Sequence, residues 1–250
     1  MKKFFINIRY FIVPVLCSVT ILGLIVGGPF VWTGAVLFLV GITIDTLVIN
    51  FHTKGAGFDK NGKSYGIKEL QNLVMYLMLP IFIILQAVLA WRVYQYTNGA
   101  DFGTVTLLGW LPVQTGITGL ELYGASLSVG AFAGLGIIYG HELSHTKDIG
   151  WPISRLMMGL SGAAHFCYAH VYNHHLELAH ENDPATSPRG RNLYKHFWLS
   201  HMGQSKFSYE LEREKLKKQG KSFFSLDNKW ITGYIISLPT IILFVWAGGI

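Results

Sequence analysis

Long runs of apolar residues, separated by shorter polar stretches, dominate the chain. Four of these runs approach or reach the roughly 20 residues that a helix needs to cross hydrocarbon, and they cover residues 10–26, 30–49, 73–91 and 122–139. A fifth run covers residues 230–250. The pattern predicts an all-α protein, a polytopic bundle of transmembrane helices in a single membrane domain over residues 1–250.

The positive charges favour one orientation of these helices. Lys2, Lys3 and Arg9 precede the first run, whereas the turn at residues 27–29 carries no charge. Four lysines follow in the next connection: Lys54, Lys60, Lys63 and Lys68. Because Lys and Arg are enriched in cytoplasmic loops, we expect the N-terminus inside. The polar segment 181–229, with ten Lys or Arg and six Asp or Glu, belongs on the same side.

Composition supports a membrane class and excludes others. The chain is 51% hydrophobic and only 14% charged, too apolar for an ordinary soluble domain. The net charge of +6 follows from the loop asymmetry, so we expect no nucleic-acid partner. The first apolar run leads through a tight turn into the second without a small-residue cleavage site, which argues against a signal peptide. Cys17 and Cys167, the two cysteines, lie in apolar surroundings and predict no thiolate metal site.

Seven of the ten histidines lie between residues 141 and 180, at the inner end of the fourth run. His141 and His145 are four residues apart, which places them about 40° from each other on one face of a helix. In the second cluster, His170 and His174 repeat that spacing, and His175 is expected about 100° away. Five imidazoles exceed the ligands of a four-coordinate zinc site, so they favour more than one metal ion, although the ligand type leaves the metal open.

The 21 residues 149–169 between the clusters allow one membrane crossing but not two. If both clusters form one site, this segment must enter and leave on the same side as a short buried element. The carboxylates of Glu142, Glu177, Glu181 and Asp183 are candidates to orient the ligating imidazoles, but the spacing does not select among them.

The remaining histidines are assigned weaker roles. His165 is expected to be a hydrogen-bonded interior histidine. His180 is expected either to hydrogen-bond to the metal-ligating residues without binding the metal itself, or to face solvent. His52, His196 and His201 are expected to be solvated.

The helical charge pattern of residues 209–219 predicts an amphipathic helix that ends at Gly220. The mixed charges indicate either a solvated face or a docking face for an electron-donor protein.

Two other classes of protein remain open at this point. Residues 141–145 read H-E-x-x-H, the zinc metalloprotease motif, in which Glu142 would be the general base. An intramembrane protease of this kind has no use for three further histidines thirty residues later. A non-enzymatic metal-binding or haem-binding membrane protein is the third class.

The histidine boxes, His141 to His145 and His170 to His175, resemble those of the membrane alkane and xylene monooxygenases within the fatty acid desaturase-like superfamily. Residues 183–190 and 219–228 resemble stretches that follow the second box in these enzymes. Residues 10–49, with Pro14, Gly28, Trp32 and Asp45, are closer to the xylene type.

The resemblance implies O2-dependent hydroxylation of a terminal or benzylic methyl group at two non-haem iron ions. It also implies a rubredoxin or ferredoxin-type electron donor with its reductase, in a bacterial inner membrane. The expected ligands are His141, His145, His170, His174 and His175, and no separate catalytic side chain is assigned. A desaturase outcome at the same centre is the alternative. Small residues from Gly124 to Gly136 indicate either close helix packing or a substrate channel.

The sequence departs from the alkane enzymes at Ala169, where they carry a glutamate before the second box. A third histidine box and an H-Y-G motif would follow Ile250. We therefore expect a chain that is incomplete at its C-terminus, with further metal ligands beyond it.

Overall fold

The computed structural model describes residues 4, 7–48 and 66–249. Within them, five helices are long and apolar enough to cross a membrane: Arg9–Val26, Gly28–Leu47, Lys68–Thr97, Gly119–Ser144 and Lys229–Gly248. The predicted class, a helical membrane protein with five spans, is confirmed. The third and fourth spans extend several residues beyond the predicted runs at both ends. His52 and the lysines at 54, 60 and 63 lie outside the described residues.

The chain separates into two compact units, one of residues 1–136 and 242–250 and the other of residues 137–241. Two helices, Gly119–Ser144 and Lys229–Gly248, continue from one unit into the other. The prediction of a single membrane domain stays a prediction.

In the first unit, helix α1 (Ile12–Val26) ends at Gly27, whose φ of 85° lies in the left-handed region that favours glycine. A 3-10 turn over Gly28–Trp32 leads into α2 (Thr33–Val48). The predicted tight turn between the first two spans is therefore present.

Arg92, near the end of α3 (Lys68–Thr97), binds the ends of several elements together. Its buried guanidinium donates to the carbonyls of Leu24 and Ile25 at 2.7 and 2.8 Å and to the Gln114 carbonyl at 2.8 Å. Gln114 ends β2 (Leu111–Gln114), which pairs antiparallel with β1 (Thr104–Leu107). This hairpin was not predicted from the sequence. Its strands have only four residues each, and the apolar pattern is dominated by the flanking spans.

Small residues of α4 (Gly119–Ser144) let neighbouring helices approach closely. A Cβ atom added at Gly124 would overlap the Trp32 indole, and one at Gly136 would lie 3.1 Å from the Phe82 ring. The Ser128 hydroxyl donates to the Val31 carbonyl at 2.7 Å. At these positions the small residues serve helix packing, not a channel.

In the second unit, α5 (Gly150–Leu160) has eleven residues, too few to cross hydrocarbon. A broken helix follows, made of α6 (Phe166–Ala169), a π-helical turn (His170–His174) and α7 (His175–Glu177). As expected, the segment between the histidine clusters is a short element that does not span the membrane.

Helix α8 (Leu193–Lys218) begins at Asn192, whose side chain accepts from the N–H groups of Tyr194 and Lys195. Gly220 follows it with a φ of +65°, so the predicted helix end is confirmed. Buried Glu212 of α8 accepts from the backbone N–H of Lys229 at 2.8 Å, at the start of α9 (Lys229–Gly248). Arg155 donates to the Lys229 carbonyl at 2.8 Å, so α5 also holds the start of α9.

Candidate metal centre

The first histidine pair lies where α4 ends. His141 is on the last turn of α4, and His145 follows directly, with the two ring centroids 5.1 Å apart. The Ser144 hydroxyl donates to the His141 carbonyl at 2.6 Å, which satisfies an acceptor that the helix end leaves free. The four-residue spacing therefore places both imidazoles on one side, as the sequence predicts.

The second cluster differs from the prediction because His170–His174 form a π-helical turn. The backbone N–H of His175 donates to the His170 carbonyl, five residues earlier. His175 thereby returns to the side of His170, with 2.9 Å between their Nε2 atoms. The adjacent rings of His174 and His175 diverge, with centroids 6.2 Å apart and planes 82° apart, and they have different partners. Single π-helical turns inside α-helices often occur at functional sites.

The two clusters converge. Nε2 of His170 lies 3.3 Å from Nε2 of His145, and the His170 ring centroid lies 4.2 Å from that of His141. One nitrogen from each of His141, His145 and His170 lies within 4.8 Å of the other two. His175 adjoins this group, with its ring centroid 4.9 Å from that of His145. A single ion could contact the imidazoles of His141, His145 and His170 together.

His174 faces a carboxylate. Its Nδ1 donates to Oδ2 of Asp183 at 2.8 Å, and its ring centroid lies 5.4 Å from that of His170. Asp183 is buried and also accepts from the Thr186 hydroxyl at 2.6 Å and the Ala185 N–H at 2.9 Å. Burial raises the pKa of Asp183, but the hydrogen bonds from Thr186, Ala185 and His174 outweigh it and leave this pKa below its usual value. The ionised carboxylate holds the proton of His174 on Nδ1 and leaves Nε2 free for a metal.

The pKa values of two imidazoles of the centre, His170 and His145, lie below the usual value for histidine. Burial lowers the pKa of His170 to about 3, and the neighbouring histidines His141, His175, His145 and His174 lower it further in that order. Burial and His141 likewise lower the pKa of His145. Neutral imidazole is the form that binds metals, so this donor set fits a histidine-ligated metal ion.

Of the four candidate carboxylates, Asp183 contacts a predicted ligand from a buried position. Glu142 also lies 3.1 Å from Nδ1 of its neighbour His141, but its side chain is 59% exposed. Glu177 pairs with exposed His180 at 3.4 Å, and Glu181 is exposed. Asp183 lies nine residues after His174 with a loop between them, and no helical spacing indicates that pair.

A separate group of histidines lies beside the centre. His165 is buried, with its ring centroid 4.7 Å from that of His201, and the Ser208 hydroxyl donates to its carbonyl. Burial, and then His201, lowers the pKa of His165 to about 4. The expectation of an interior histidine holds for His165. His196 and His201 are half-buried and line a cavity, and their expected solvation stays a prediction.

Sequence reasoning missed Phe166. Its ring stacks on His170, with centroids 5.2 Å apart and planes 10° apart, and meets the His141 ring edge at 6.3 Å. The residue lies four positions before His170, the spacing of side chains that contact each other along a helix.

Residues 119–250 match the family model of the fatty acid desaturases. The chain is 36% identical to an alkane 1-monooxygenase of Acinetobacter baylyi over 112 residues, which are 44% of this chain and 28% of that relative. It is 34% identical to alkane 1-monooxygenase 1 of Alcanivorax borkumensis over 131 residues, 52% of this chain and 32% of the relative.

One further relative is similar over nearly the whole chain, but at a lower sequence identity. The xylene/toluene monooxygenase hydroxylase component XylM of Pseudomonas putida is 24% identical over 249 residues, which are 96% of this chain and 59% of that protein. The chain thus spans between about a quarter and three fifths of the length of these relatives.

Proposed function

Because the chain belongs to the fatty acid desaturase family, we propose that it is the metal-binding part of a membrane monooxygenase. Its reaction is the hydroxylation of a terminal or benzylic methyl group of a hydrophobic hydrocarbon, an alkane or a methylarene. The observation that carries this proposal is the convergence of two histidine clusters at the end of the apolar helix α4. The names of the similar monooxygenases support the choice of reaction.

The proposed cofactor is two iron ions, with His141, His145, His170, His174 and His175 among their ligands. Bound iron would supply the activation of O2, by which one oxygen atom enters the C–H bond and the other leaves as water, with two electrons and two protons consumed. The residues of the chain hold and orient the ligands: Asp183 fixes the tautomer of His174, and Phe166 packs against His170. An unactivated C–H bond carries no charge to recognise, so the protein orients the substrate and excludes water.

The proposed electron donor is a rubredoxin or a ferredoxin-type protein with its reductase. Exposed charges of both signs at the end of α8, Arg213, Glu214, Lys217 and Lys218, are consistent with a docking face for such a donor. We place the N-terminus and the histidine centre on the cytoplasmic side of a bacterial inner membrane, because all lysines and arginines except Arg92 lie in the segments that this arrangement assigns to that side.

Elemental analysis of the complete natural protein that contains these residues, purified in detergent, tests the proposal. We expect close to two iron ions per chain, and a large loss of iron when His174 and His175 are changed to alanine. The control His180→Ala, at an exposed histidine, should retain the iron. Products from n-octane and m-xylene should then be alcohols, whereas an alkene from an acyl lipid would favour the desaturase alternative.

The metalloprotease alternative makes the opposite prediction for the same variants. One zinc ion per chain, lost on changing His141 or His145 but retained when His174 and His175 are changed, would overturn the monooxygenase.

A further inference from the structure

An apolar cavity of about 270 Å³ lies beside the candidate metal centre, within the second unit. Its apolar wall includes Ile137, Phe166, Leu193 and Phe197. Ile137 is on α4, one helical turn before His141, so the cavity begins at the level where the apolar span reaches the first histidine box. The cavity is open on one side, where the Leu193 and Phe197 side chains are exposed.

Phe166 is shared by the cavity and the metal centre. The residue lines the cavity, and its ring also stacks on His170 and contacts the His141 ring edge. A molecule in the cavity therefore meets the phenyl ring of Phe166 before it meets these two imidazoles.

The polar wall of the cavity suits an uncharged occupant. His165 and His201 form part of it, with their rings in contact. His165 is buried and neutral, so it presents no charge that an apolar molecule would have to desolvate. Few charged groups line this cavity, unlike the groove at Tyr172, which includes Glu214 and Lys218.

We propose that this cavity binds the hydrocarbon substrate and that Phe166 is the specificity-determining residue at its metal end. The size of the side chain at position 166 sets how far the substrate extends toward His141 and His170. The inference rests on the proposed hydroxylation and adds the position of the substrate to it. An acyl chain of a membrane lipid is the competing occupant.

Photolabelling locates the occupant without any turnover. The protein in phospholipid nanodiscs is irradiated with an n-alkane that carries a diazirine, and the labelled peptides are identified by mass spectrometry. We expect labels in residues 163–166 and 193–204 that excess n-octane removes. Labels elsewhere, or labels in these segments that n-octane does not reduce, would overturn the proposal, and the latter result would assign the cavity to lipid.

Phe166→Ala and Phe166→Leu test the role of the side chain, with Phe224→Ala as the matched control at an 85% exposed phenylalanine. One methylene in an apolar pocket changes kcat/KM by about 10-fold or more. We expect Phe166→Ala to shift the ratio of kcat/KM between long and short alkanes, or large and small methylarenes, by about tenfold toward the larger substrate. Phe166→Leu should give a smaller shift in the same direction, and Phe224→Ala none.

The two proposals fail in different ways. If the iron-loaded wild-type protein gives no hydroxylated product but its labelling still responds to alkane, the monooxygenase proposal is wrong. The cavity then remains an apolar binding site. If both Phe166 variants hydroxylate normally, with unchanged iron content and an unchanged ratio of kcat/KM between large and small substrates, only the proposed role of Phe166 is wrong.

Discussion

At the residue scale, the contact between Asp183 and His174 shows how a buried charge orients a ligand. The carboxylate is buried, yet it accepts hydrogen bonds from three donors, which compensate for its lost hydration. Because Nδ1 of His174 donates to this carboxylate, Nε2 carries the free lone pair. The same contact also restricts rotation of the ring. Mutation of a carboxylate that orients a metal-binding histidine in this way typically lowers the metal affinity by 10- to 100-fold.

Asp183→Asn removes the negative charge while it preserves the size of the side chain. We expect iron binding to weaken by about 10- to 100-fold, because His174 loses the charged partner that fixes its tautomer. Iron retained against increasing chelator concentration measures this change.

Asp227→Asn is the control for this measurement, since the Asp227 side chain is 55% exposed and its contact with Lys221 lies in a surface loop. Equal iron retention in the two variants would show that His174 is oriented without Asp183.

At the element scale, two departures from regular α-helical expectation shape the molecule. The π-helical turn at His170–His174 brings His175 to His170, a pairing that a regular α-helix would not make. In α4, the absence of side chains at Gly124 and Gly136 lets Trp32 and Phe82 pack against the helix backbone. In both cases the backbone, rather than a particular side chain, determines which groups meet.

Gly124→Ala tests the packing of α4. The new methyl group would overlap the Trp32 indole, and overpacking of this kind typically costs about 1–3 kcal/mol. We expect Tm, measured by circular dichroism in detergent, to fall by several degrees.

Gly130→Ala on the same helix is the matched control. Among the described residues, nothing lies within 4 Å of a Cβ added there, and alanine is the better helix former by roughly 1 kcal/mol. Its Tm should be unchanged or higher. A loss of stability in both variants would show that α4 does not tolerate alanine at its glycine positions in general, and would not support a specific contact with Trp32.

At the scale of the whole molecule, five apolar helices support an integral membrane protein, and the distribution of charge predicts its orientation. The β1–β2 hairpin follows the third span and belongs outside in this arrangement. Helix α8 follows the fourth span and belongs inside. Orientation matters for function because the proposed electron donors are soluble proteins of the cytoplasm.

Single-cysteine labelling checks this orientation. The native thiols, Cys17 and Cys167, are buried, so Thr106→Cys in the hairpin and Lys217→Cys at the end of α8 introduce exposed thiols. In intact spheroplasts we expect a membrane-impermeant maleimide to label the Thr106 variant, and to label the Lys217 variant only after permeabilisation. The reverse pattern would place the histidine centre on the outer side.

The sequence by itself determined the spans, the side-chain class of the metal centre and the pairing of His141 with His145. These features are local. A span is a run of adjacent apolar residues, and the four-residue spacing of the first box acts within one helix. The end of α8 at Gly220 is likewise a local signal.

Tertiary structure alone decided which distant groups meet. It selected Asp183 from four candidate carboxylates, brought His175 to His170, and placed Phe166 between a cavity and the histidines. It also formed the hairpin that Arg92 holds against the end of α1. Apart from the contact of Phe166 with His170, which has the four-residue spacing of a helix, each of these contacts depends on a change of helical period, or on how loops return chain segments that are distant in sequence. Neither is encoded in the spacing of residues along one helix, and for that reason sequence reasoning could not find them.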